Sequence, residues 1–346
     1  MPTHDHYVII GNGPAGNAAA FTLRENDPDA AITIISHENI CFYAKPKLVK
    51  YLAGKVDEDA LAVKTMDEYR RRHIRLRLGQ AVVHIDPGSK RLHLSHMETV
   101  HYTDLIIASG ARARLLPSMK PYADCLTFVT EFNDTRGLRK KITDSSRFFI
   151  FGGDLVGFKF LKMLTDMGKQ VTLLLYPRAF WPHRLTKQMQ DAIVKNLAPT
   201  NADVLADDDL DTIVPEDRGG YWVTTKQGVR TQADLVFSFN GLIPDVDFAR
   251  GCGLEIDHGI LVDETMRTSL DRIFACGACA QIYNPDINTY TTSIGWPNAQ
   301  AQGKVAGLNL LGEHHKVRPA GRKYFDLEGV KIKTAWWEDL EKDEDA

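Results

Sequence analysis

Two stretches of the chain repeat one pattern of apolar and polar positions. The first, YVIIGNGPAG at residues 7–16, is an apolar run that ends among glycines, and the helix-compatible NAAAFTLREN and the strand-like AITIIS follow it. The second, RFFIFGGDLVG at residues 147–157, continues through the helix-like FKFLKMLTDMG and the strand-like QVTLLLY. Each pattern predicts a strand, a helix and a second, parallel strand. Because the pattern occurs twice, the chain is predicted to contain two units of one architecture.

The segments after each unit are rich in β-strand patterns. Residues 80–108 alternate apolar and polar positions, carry turn signals at DPGSK and HMET, and end in the apolar DLIIA. They predict a small antiparallel sheet and a buried strand. A similar stretch runs from YWVTTK to ADLVFSFNG. The charged tail from about residue 313 closes on EDLEKDEDA and is predicted to fray.

Composition excludes several classes of protein. The 346 residues allow two or three domains, and 44% hydrophobic with 25% charged residues is ordinary for a globular protein. A net charge of -3 offers no basic face for nucleic acid. Neither a signal peptide nor a stretch long enough to span a membrane is evident. Five cysteines, an odd number, indicate a reducing compartment, so we expect a cytoplasmic protein with neither nucleic acid nor membrane as a partner.

The first glycine pattern has the spacing of a dinucleotide site. Gly11 permits a sharp turn, Gly13 permits backbone to approach phosphates, and Gly16 permits close packing of helix and strand. Glu38 follows the second strand of the unit, where a carboxylate can accept both hydroxyls of an adenosine ribose. The alternatives are a mere tight turn and a solvated acid in a loop.

Six segments extend this pattern over residues 6–312, and together they resemble one family. The segments are GNGPAG with Glu38, FYAKPKLVKYLAG, LIIASGAR, ADLVFSFNGLIPDVDFA, GLEIDHGILVDETMRTSLDRIFACG and IGWPNAQAQGKVAGLNLLG. In this order they resemble the FAD-dependent pyridine nucleotide-disulfide oxidoreductases, with the rubredoxin reductases and the flavin part of nitrite reductases as the closest branch.

The resemblance implies an α/β fold with two Rossmann-like dinucleotide-binding domains of the three-layer ββα type. The FAD domain would comprise residues 1–115 and 240–312, with an NAD(P)H-type domain, residues 116–239, inserted between its two parts. Residues 313–346 would be a truncated C-terminal tail. In this family, electrons pass from nicotinamide to flavin and then to a protein or small acceptor.

The resemblance also implies roles for individual residues. The glycine turn would hold the FAD diphosphate and Glu38 the ribose, the backbone of Val82 would meet the adenine, and the helix that starts at Trp296 would point at flavin N1 and C2=O. The implied FAD-binding residues are Gly11, Gly13, Pro14, Ala15, Gly16, Glu38, Lys45, Pro46, Val82, Ala108, Ser109, Gly110, Arg112, Gly277, Ala278, Trp296, Pro297 and Asn298. Simple packing of Trp296 is the alternative for that side chain.

The second glycine pattern departs from the family. Asp154 replaces the glycine whose missing side chain makes room for a diphosphate, and two like charges about 5 Å apart repel by roughly 3 kcal/mol at an effective dielectric near 20. Leu175 stands where the family has an acid that binds the NADH ribose. Arg178 nearby does not indicate which coenzyme is bound. Alternatively, Asp154 caps the helix that follows. We expect its carboxylate to occupy the phosphate site, so NAD(P)H binding is doubtful.

Two lysines form the next departure. In relatives, a glutamate at the position of Lys159 pairs with the lysine beside flavin N5, which is Lys50 here. Two lysines cannot form that ion pair, so either one is neutral, or both face anions, or the helix is rotated. We retain both as candidate catalytic residues.

Other departures concern the flavin and the tail. Ala278 replaces an aspartate that binds a ribityl hydroxyl in relatives. Cys276 and Cys279 form a CxxC that is either a redox pair or core packing, with no second CxxC to complete a zinc site, and no metal is expected. Cys41 lies near the position of an active cysteine in some branches. Trp336 and Trp337 predict an aromatic patch that needs a partner.

Three functions remain open. The first is an FAD-containing electron-transfer subunit that works with an iron-sulfur or rubredoxin-like partner and has an impaired NAD(P)H site. The second is a conventional NAD(P)H-dependent reductase of a rubredoxin, ferredoxin or small-molecule acceptor. The third is a non-catalytic scaffold, against which the first glycine turn and Glu38 argue.

Overall fold

The computed structural model describes residues 5–179, 184–293, 295–317 and 324–333. The predicted patch of Trp336 and Trp337 lies outside this part of the chain. Within it, no helix has both the length and the apolar character needed to cross a bilayer.

The first part of the chain builds a parallel sheet and an antiparallel one. Its elements are β1 (His6–Ile10), α1 (Pro14–Asn26), β2 (Ala31–Ser36), α2 (Leu48–Leu52), α3 (Met66–Arg71), β3 (Ile74–Leu78), β4 (Val82–Asp86), β5 (Arg91–Leu94), β6 (Thr99–His101), β7 (Asp104–Ile107) and β8 (Ala111–Ala113). The predicted antiparallel sheet is β4-β5-β6. The predicted buried strand is β7, all four of whose residues are buried.

The middle part repeats the parallel βαβ arrangement. Its elements are α4 (Phe132–Thr135), α5 (Leu138–Asp144), β9 (Arg147–Gly152), α6 (Leu155–Asp166), β10 (Gln170–Leu175), α7 (Lys187–Leu197), β11 (Asp203–Leu205), β12 (Leu210–Pro215), β13 (Tyr221–Thr225), β14 (Arg230–Ala233) and β15 (Leu235–Phe239). The parallel sheet has the order β11-β10-β9-β15, and β12-β13-β14 form an antiparallel sheet.

The last part returns to the first sheet. Its elements are β16 (Leu242–Pro244), β17 (Ile260–Val262), β18 (Ile273–Ala275), β19 (Ala280–Asn284), β20 (Thr289–Thr292), α8 (Trp296–Leu310), β21 (Tyr324–Leu327) and β22 (Val330–Lys333). Strand β18 completes the order β18-β7-β1-β2-β3, and β17-β19-β20 form a separate small sheet. The predicted α/β fold with two Rossmann-like units is confirmed.

The two units are joined at one antiparallel strand pair. The chain leaves the first unit after β8 and returns at β16, and Leu242 of β16 pairs with Ala113 of β8. The second unit is therefore inserted into the first. In the first unit, α1 and α8 pack so closely that a Cβ on Gly303 would lie 2.1 Å from the backbone oxygen of Ala15.

A C-terminal hairpin packs on the second unit. Strands β21 and β22 are joined by Glu328 and Gly329, both with positive φ, which is the type I′ turn of tight hairpins. Val330 is buried in the same apolar cluster as α6 and α7, and Glu328 forms a salt bridge of 2.6 Å with Lys162. The prediction of a frayed tail is therefore wrong for residues 324–333, because the Glu-Gly turn and one buried valine hold them in place.

A buried arginine holds together two turns of the first unit. Arg24, in the last turn of α1, is only 9% exposed. Its guanidinium donates to the backbone oxygens of Asp27, Pro28, Ala30, Arg72 and His73. One side chain thus supplies the donors for the turn before β2 and for the turn before β3.

We expect Arg24→Ala to lower the free energy of unfolding by about 3 kcal/mol, since it removes the donor of five backbone carbonyls, the one of Ala30 buried and the others partly buried. Urea unfolding followed by circular dichroism measures the change. The matched control is Arg70→Ala, whose side chain is 74% exposed and, within the described residues, pairs with Asp67 alone. Equal unfolding midpoints for the two variants would show that the carbonyl contacts contribute little.

Candidate functional site

The first glycine turn is shaped for close approach of a ligand. Gly11 has φ 110°, and a Cβ there would lie 2.1 Å from the backbone oxygen of Ala108. A Cβ on Gly16 would lie 2.0 Å from the oxygen of Gly11. A Cβ on Gly13, by contrast, would meet no atom within 4 Å, and no side chain caps α1 there. The start of α1 therefore presents open space and backbone N–H groups, which fit a diphosphate.

The residues carried over for FAD lie at one edge of the parallel sheet. Gly11 follows β1, Glu38 follows β2, Ala108 follows β7, and Gly277 follows β18. The carboxyl ends of parallel strands are the usual place for a nucleotide in such folds. Gly277 also approaches the first turn, since a Cβ on it would lie 3.0 Å from the Cβ of Ala15.

A polar network behind the first turn was missed from the sequence. Asn17 donates from Nδ2 to the backbone oxygens of Asn12 and Gly13, at 3.0 Å each. The hydroxyl of Tyr69, a fully buried side chain of α3, donates to Oδ1 of Asn17 at 2.5 Å. This network fixes the carbonyls of the glycine turn. The only sequence signal was an asparagine at an otherwise apolar helix position.

Glu38 is buried and has several partners. Its carboxylate accepts hydrogen bonds from the hydroxyl of Tyr43 at 2.9 Å and from the backbone N–H of Phe132 at 2.8 Å. Nζ of Lys45 lies 3.5 Å from the same carboxylate. The interpretation of Glu38 as a solvated acid is wrong, since it is only 6% exposed. Pro46 is exposed beside Lys45 in a short 3-10 turn.

Other carried-over residues contact protein groups around this edge. Ser109 donates from Oγ to the backbone oxygen of Asp245 at 2.7 Å, and the N–H of Asp245 donates to the oxygen of Gly110 at 3.0 Å. Arg112 is exposed and pairs with Asp247 at 2.6 Å. Val82 is the first residue of β4 and is nearly buried.

The α8 end of the site is held by stacking and by a glutamine. The ring of Trp296 stacks on Phe42 with a centroid distance of 5.0 Å, so the indole has a packing role. The N–H of Gly277 donates to Oε1 of Gln302 at 2.7 Å, a contact that the sequence did not reveal. Asn298 is buried, Ala278 is half-buried and Pro297 is exposed.

Asp154 is the N-cap of α6. Its Oδ1 accepts the backbone N–H groups of Val156 and Gly157 at 2.9 Å each, and its Oδ2 accepts the N–H of Gly241 at 3.2 Å. Its φ and ψ of -76° and -179° nearly match the -86° and -169° of Gly13 at the same place in the first unit. The carboxylate thus holds the N–H groups that the first turn leaves open.

Burial dominates the electrostatics of Asp154. Burial raises the pKa of Asp154, and the backbone N–H groups of Gly157, Gly241 and Val156 oppose that rise. All three groups are donors, so they favour the ionised form, which is an acceptor only, and limit the rise. A negative charge at the start of a helix also interacts favourably with the helix dipole. The interpretation of Asp154 as a helix cap is confirmed, and the occupation of a phosphate site by its carboxylate stays a prediction.

The other predicted site residues of the second unit, and the lysine predicted to face them, lie on β10, α6 and α2. Leu175 is fully buried at the end of β10. Lys50 on α2 and Lys159 on α6 are both exposed, and neither forms a salt bridge within the residues that the structure describes. Helices α2 and α6 pack against each other. Lysine thus occupies both positions at which relatives form an ion pair.

The CxxC pair is buried. Cys276 and Cys279 are both fully buried, and the Cys279 thiol donates to the backbone oxygens of Ile107 at 3.4 Å and of Cys276 at 3.3 Å. Burial raises the pKa of both thiols, that of Cys276 well above its usual range. Reactive cysteines have lowered pKa values and some exposure, so the geometry favours core packing. Cys41 is partly exposed, and burial raises the pKa of its thiol too.

We expect a thiol reagent such as N-ethylmaleimide to modify Cys41, Cys125 and Cys252 of the native protein much faster than Cys276 and Cys279, because the first three are partly exposed. Peptide mass spectrometry measures the labelling, and denatured protein, in which all five react, is the control. Rapid labelling of either buried thiol in the native protein would revive the redox interpretation.

Comparison with known proteins places this geometry among flavin-linked reductases. The family model described as "Pyridine nucleotide-disulphide oxidoreductase" matches residues 5–303. A Rubredoxin-NAD(+) reductase of Pseudomonas putida is 27% identical over 94% of this chain and 85% of its own length. The ferredoxin--NAD(+) reductase component of an anthranilate 1,2-dioxygenase system from Burkholderia cepacia is 29% identical over 89% of this chain and 76% of its own.

A solved structure gives the same picture. The covalent complex of putidaredoxin reductase with putidaredoxin contains a chain that is 27% identical, with a TM-score of 0.83 over 94% of this chain and 80% of that one. The likeness extends over both units.

Proposed function

Since the chain belongs to the pyridine nucleotide-disulphide oxidoreductase family, we propose that it is an FAD-dependent electron-transfer reductase that works with a small redox protein and has an impaired NAD(P)H site. The partner is an iron-sulfur or rubredoxin-like protein. This partner class is supported by the relatives, which are named as reductases of rubredoxin and ferredoxin, and by the similar structure, which is a complex with putidaredoxin.

FAD, when bound, supplies a group that accepts two electrons and exchanges them singly or in pairs. The open first turn at Gly13 would hold its diphosphate, and Glu38 would hold its adenosine ribose. Lys45 beside Glu38 would supply a positive charge near the diphosphate. Gly277, which follows β18, lies close to Ala15 of α1, so the two parts of the flavin site meet there.

The impaired NAD(P)H site rests on one observation, the triple hydrogen bonding of Asp154. A coenzyme diphosphate would need the N–H groups of Val156 and Gly157, which the carboxylate already holds. It would also lie beside a negative charge, at roughly 3 kcal/mol for charges about 5 Å apart, or about a hundredfold in affinity. The buried Leu175 offers no acceptor for a ribose hydroxyl, and Lys159 carries the wrong charge for the family ion pair.

A conventional NAD(P)H-dependent reductase is the second candidate. It is favoured by the names of the relatives, which are NAD(+)-linked reductases, and by Gly152 and Gly157, which keep the backbone shape of a dinucleotide turn. It requires that a coenzyme displace the Asp154 carboxylate from its three donors. A cytoplasmic location is part of our proposal as well, because all five cysteines are free.

We expect wild-type holoprotein to resist bleaching of its flavin by micromolar NADH or NADPH under anaerobic conditions, and Asp154→Gly to bind the coenzyme up to about 100-fold more tightly, because the carboxylate and its charge are removed. Stopped-flow absorbance of the flavin over a coenzyme series measures both.

The control is Asp154→Asn, which keeps a capping oxygen for α6 but no charge. We expect an intermediate gain, since the side chain still fills part of the turn. Rapid bleaching of wild type at micromolar NADH would establish the conventional reductase. An unchanged affinity in Asp154→Gly would refute the charge argument, provided that circular dichroism shows α6 intact.

A further inference from the structure

Two exposed apolar residues lie next to the backbone groups that hold the Asp154 carboxylate. Val156 is 37% exposed and Leu242 is 45% exposed. The N–H of Val156 and the N–H of Gly241, which precedes Leu242, bond to the two oxygens of the same carboxylate. The second glycine turn is thus bordered by exposed apolar residues from two separate segments of the chain.

Cations surround this apolar centre. The N–H of Arg114 donates to the oxygen of Gly241 at 3.0 Å, and the Arg114 guanidinium donates to the backbone oxygen of Arg178 at 2.8 Å. Lys159 lies one helical turn beyond Val156 on α6, so the two residues share a helix face. We call Val156, Leu242, Arg114, Arg178 and Lys159 the plug face. Lys50, on the adjoining helix α2, adds a further cation beside it.

The positive charge of the plug face is not neutralised by the chain. Within the described residues, Arg114, Arg178 and Lys159 form no salt bridge, whereas Arg112, two positions before Arg114, pairs with Asp245 and Asp247. Burial lowers the pKa of Arg114, Tyr176 opposes this, and the charge of Arg178 lowers the pKa further. Two adjacent guanidinium groups without a carboxylate favour an anionic ligand.

An apolar centre within a charged rim is the usual anatomy of a transient protein interface. Resting on the proposed function, we propose that the plug face is the docking surface for an acidic redox-carrier protein. The carrier would place its acidic groups against Arg114, Arg178 and Lys159, and an apolar side chain between Val156 and Leu242. Electrostatic complementarity of this kind accelerates and orients encounters. Asp154 keeps the coenzyme from competing for the same surface.

The test is the binding of FAD-loaded full-length chain to an acidic [2Fe–2S] ferredoxin and to an acidic rubredoxin, by biolayer interferometry over a NaCl series. We expect Lys159→Glu and Arg178→Glu each to weaken binding at low salt by at least about 10-fold and to flatten the salt dependence. Val156→Ser weakens binding without changing the salt dependence. The matched control is Lys195→Glu on α7, an exposed lysine to which the described part of the chain supplies no salt bridge, and it changes affinity by less than about 2-fold.

Four results would overturn the proposal. One is failure of both carriers to bind at low salt. Another is an equal loss of affinity in Lys195→Glu, which would reduce the effect to net charge. The third is binding only after removal of residues 338–346, which contain six acidic residues, since the chain itself would then be the occupant. Displacement of the carrier by NADPH, through its 2′-phosphate at Arg178, would likewise assign the arginines to a coenzyme.

The outcomes separate this inference from the proposed function. Bleaching of the flavin by NADH tests only the impaired coenzyme site, whereas the binding series needs no electron transfer. A carrier that binds and reacts with the flavin, yet is insensitive to Lys159→Glu and Arg178→Glu, leaves the proposed function standing and removes the plug face as its docking surface.

Discussion

A backbone N–H can serve one strong acceptor at a time, and this constraint separates the two halves of the molecule. At the start of α6, Asp154 takes the N–H groups of Val156 and Gly157 and reaches across to Gly241. At the start of α1, Gly13 has no side chain and leaves the equivalent groups open. The two turns match in φ at Gly11 and Gly152 and in φ and ψ at the N-cap residues Gly13 and Asp154. They nevertheless offer opposite things to an anion, because only Asp154 has a side chain that holds the N–H groups.

Local sequence patterns predicted most of the fold. The glycine spacings, the β-branched runs and the alternation of residues 80–108 predicted both βαβ units and the first antiparallel sheet, because each depends on contacts close in sequence. The turn of Gly11 and Gly16 was likewise readable, since packing there admits only glycine. The family resemblance supplied what spacing alone does not contain, namely the insertion of one unit into the other.

Contacts between residues that are distant in the sequence could not be predicted from it. The sequence left Asp154 as either a plug or a cap, and its bond to Gly241, 87 positions away, was invisible. The same holds for Tyr69 with Asn17 and for Gln302 with Gly277, where a polar side chain meets a partner that no local pattern indicates. Residues 324–333 were misjudged because their charge outweighed a two-residue turn signal and a single buried valine.

The pairing of β8 with β16 bears on how such a molecule can change over time. It brings the entry and exit of the inserted unit side by side, so the surrounding unit closes its sheet through β7 and β18 whatever happens in between. A substitution in the insert can therefore abolish recognition of a ligand while the host unit keeps its own. Because the two units are independent in this way, a protein lineage can lose the site for one electron donor and gain the site for another without a change in the redox centre.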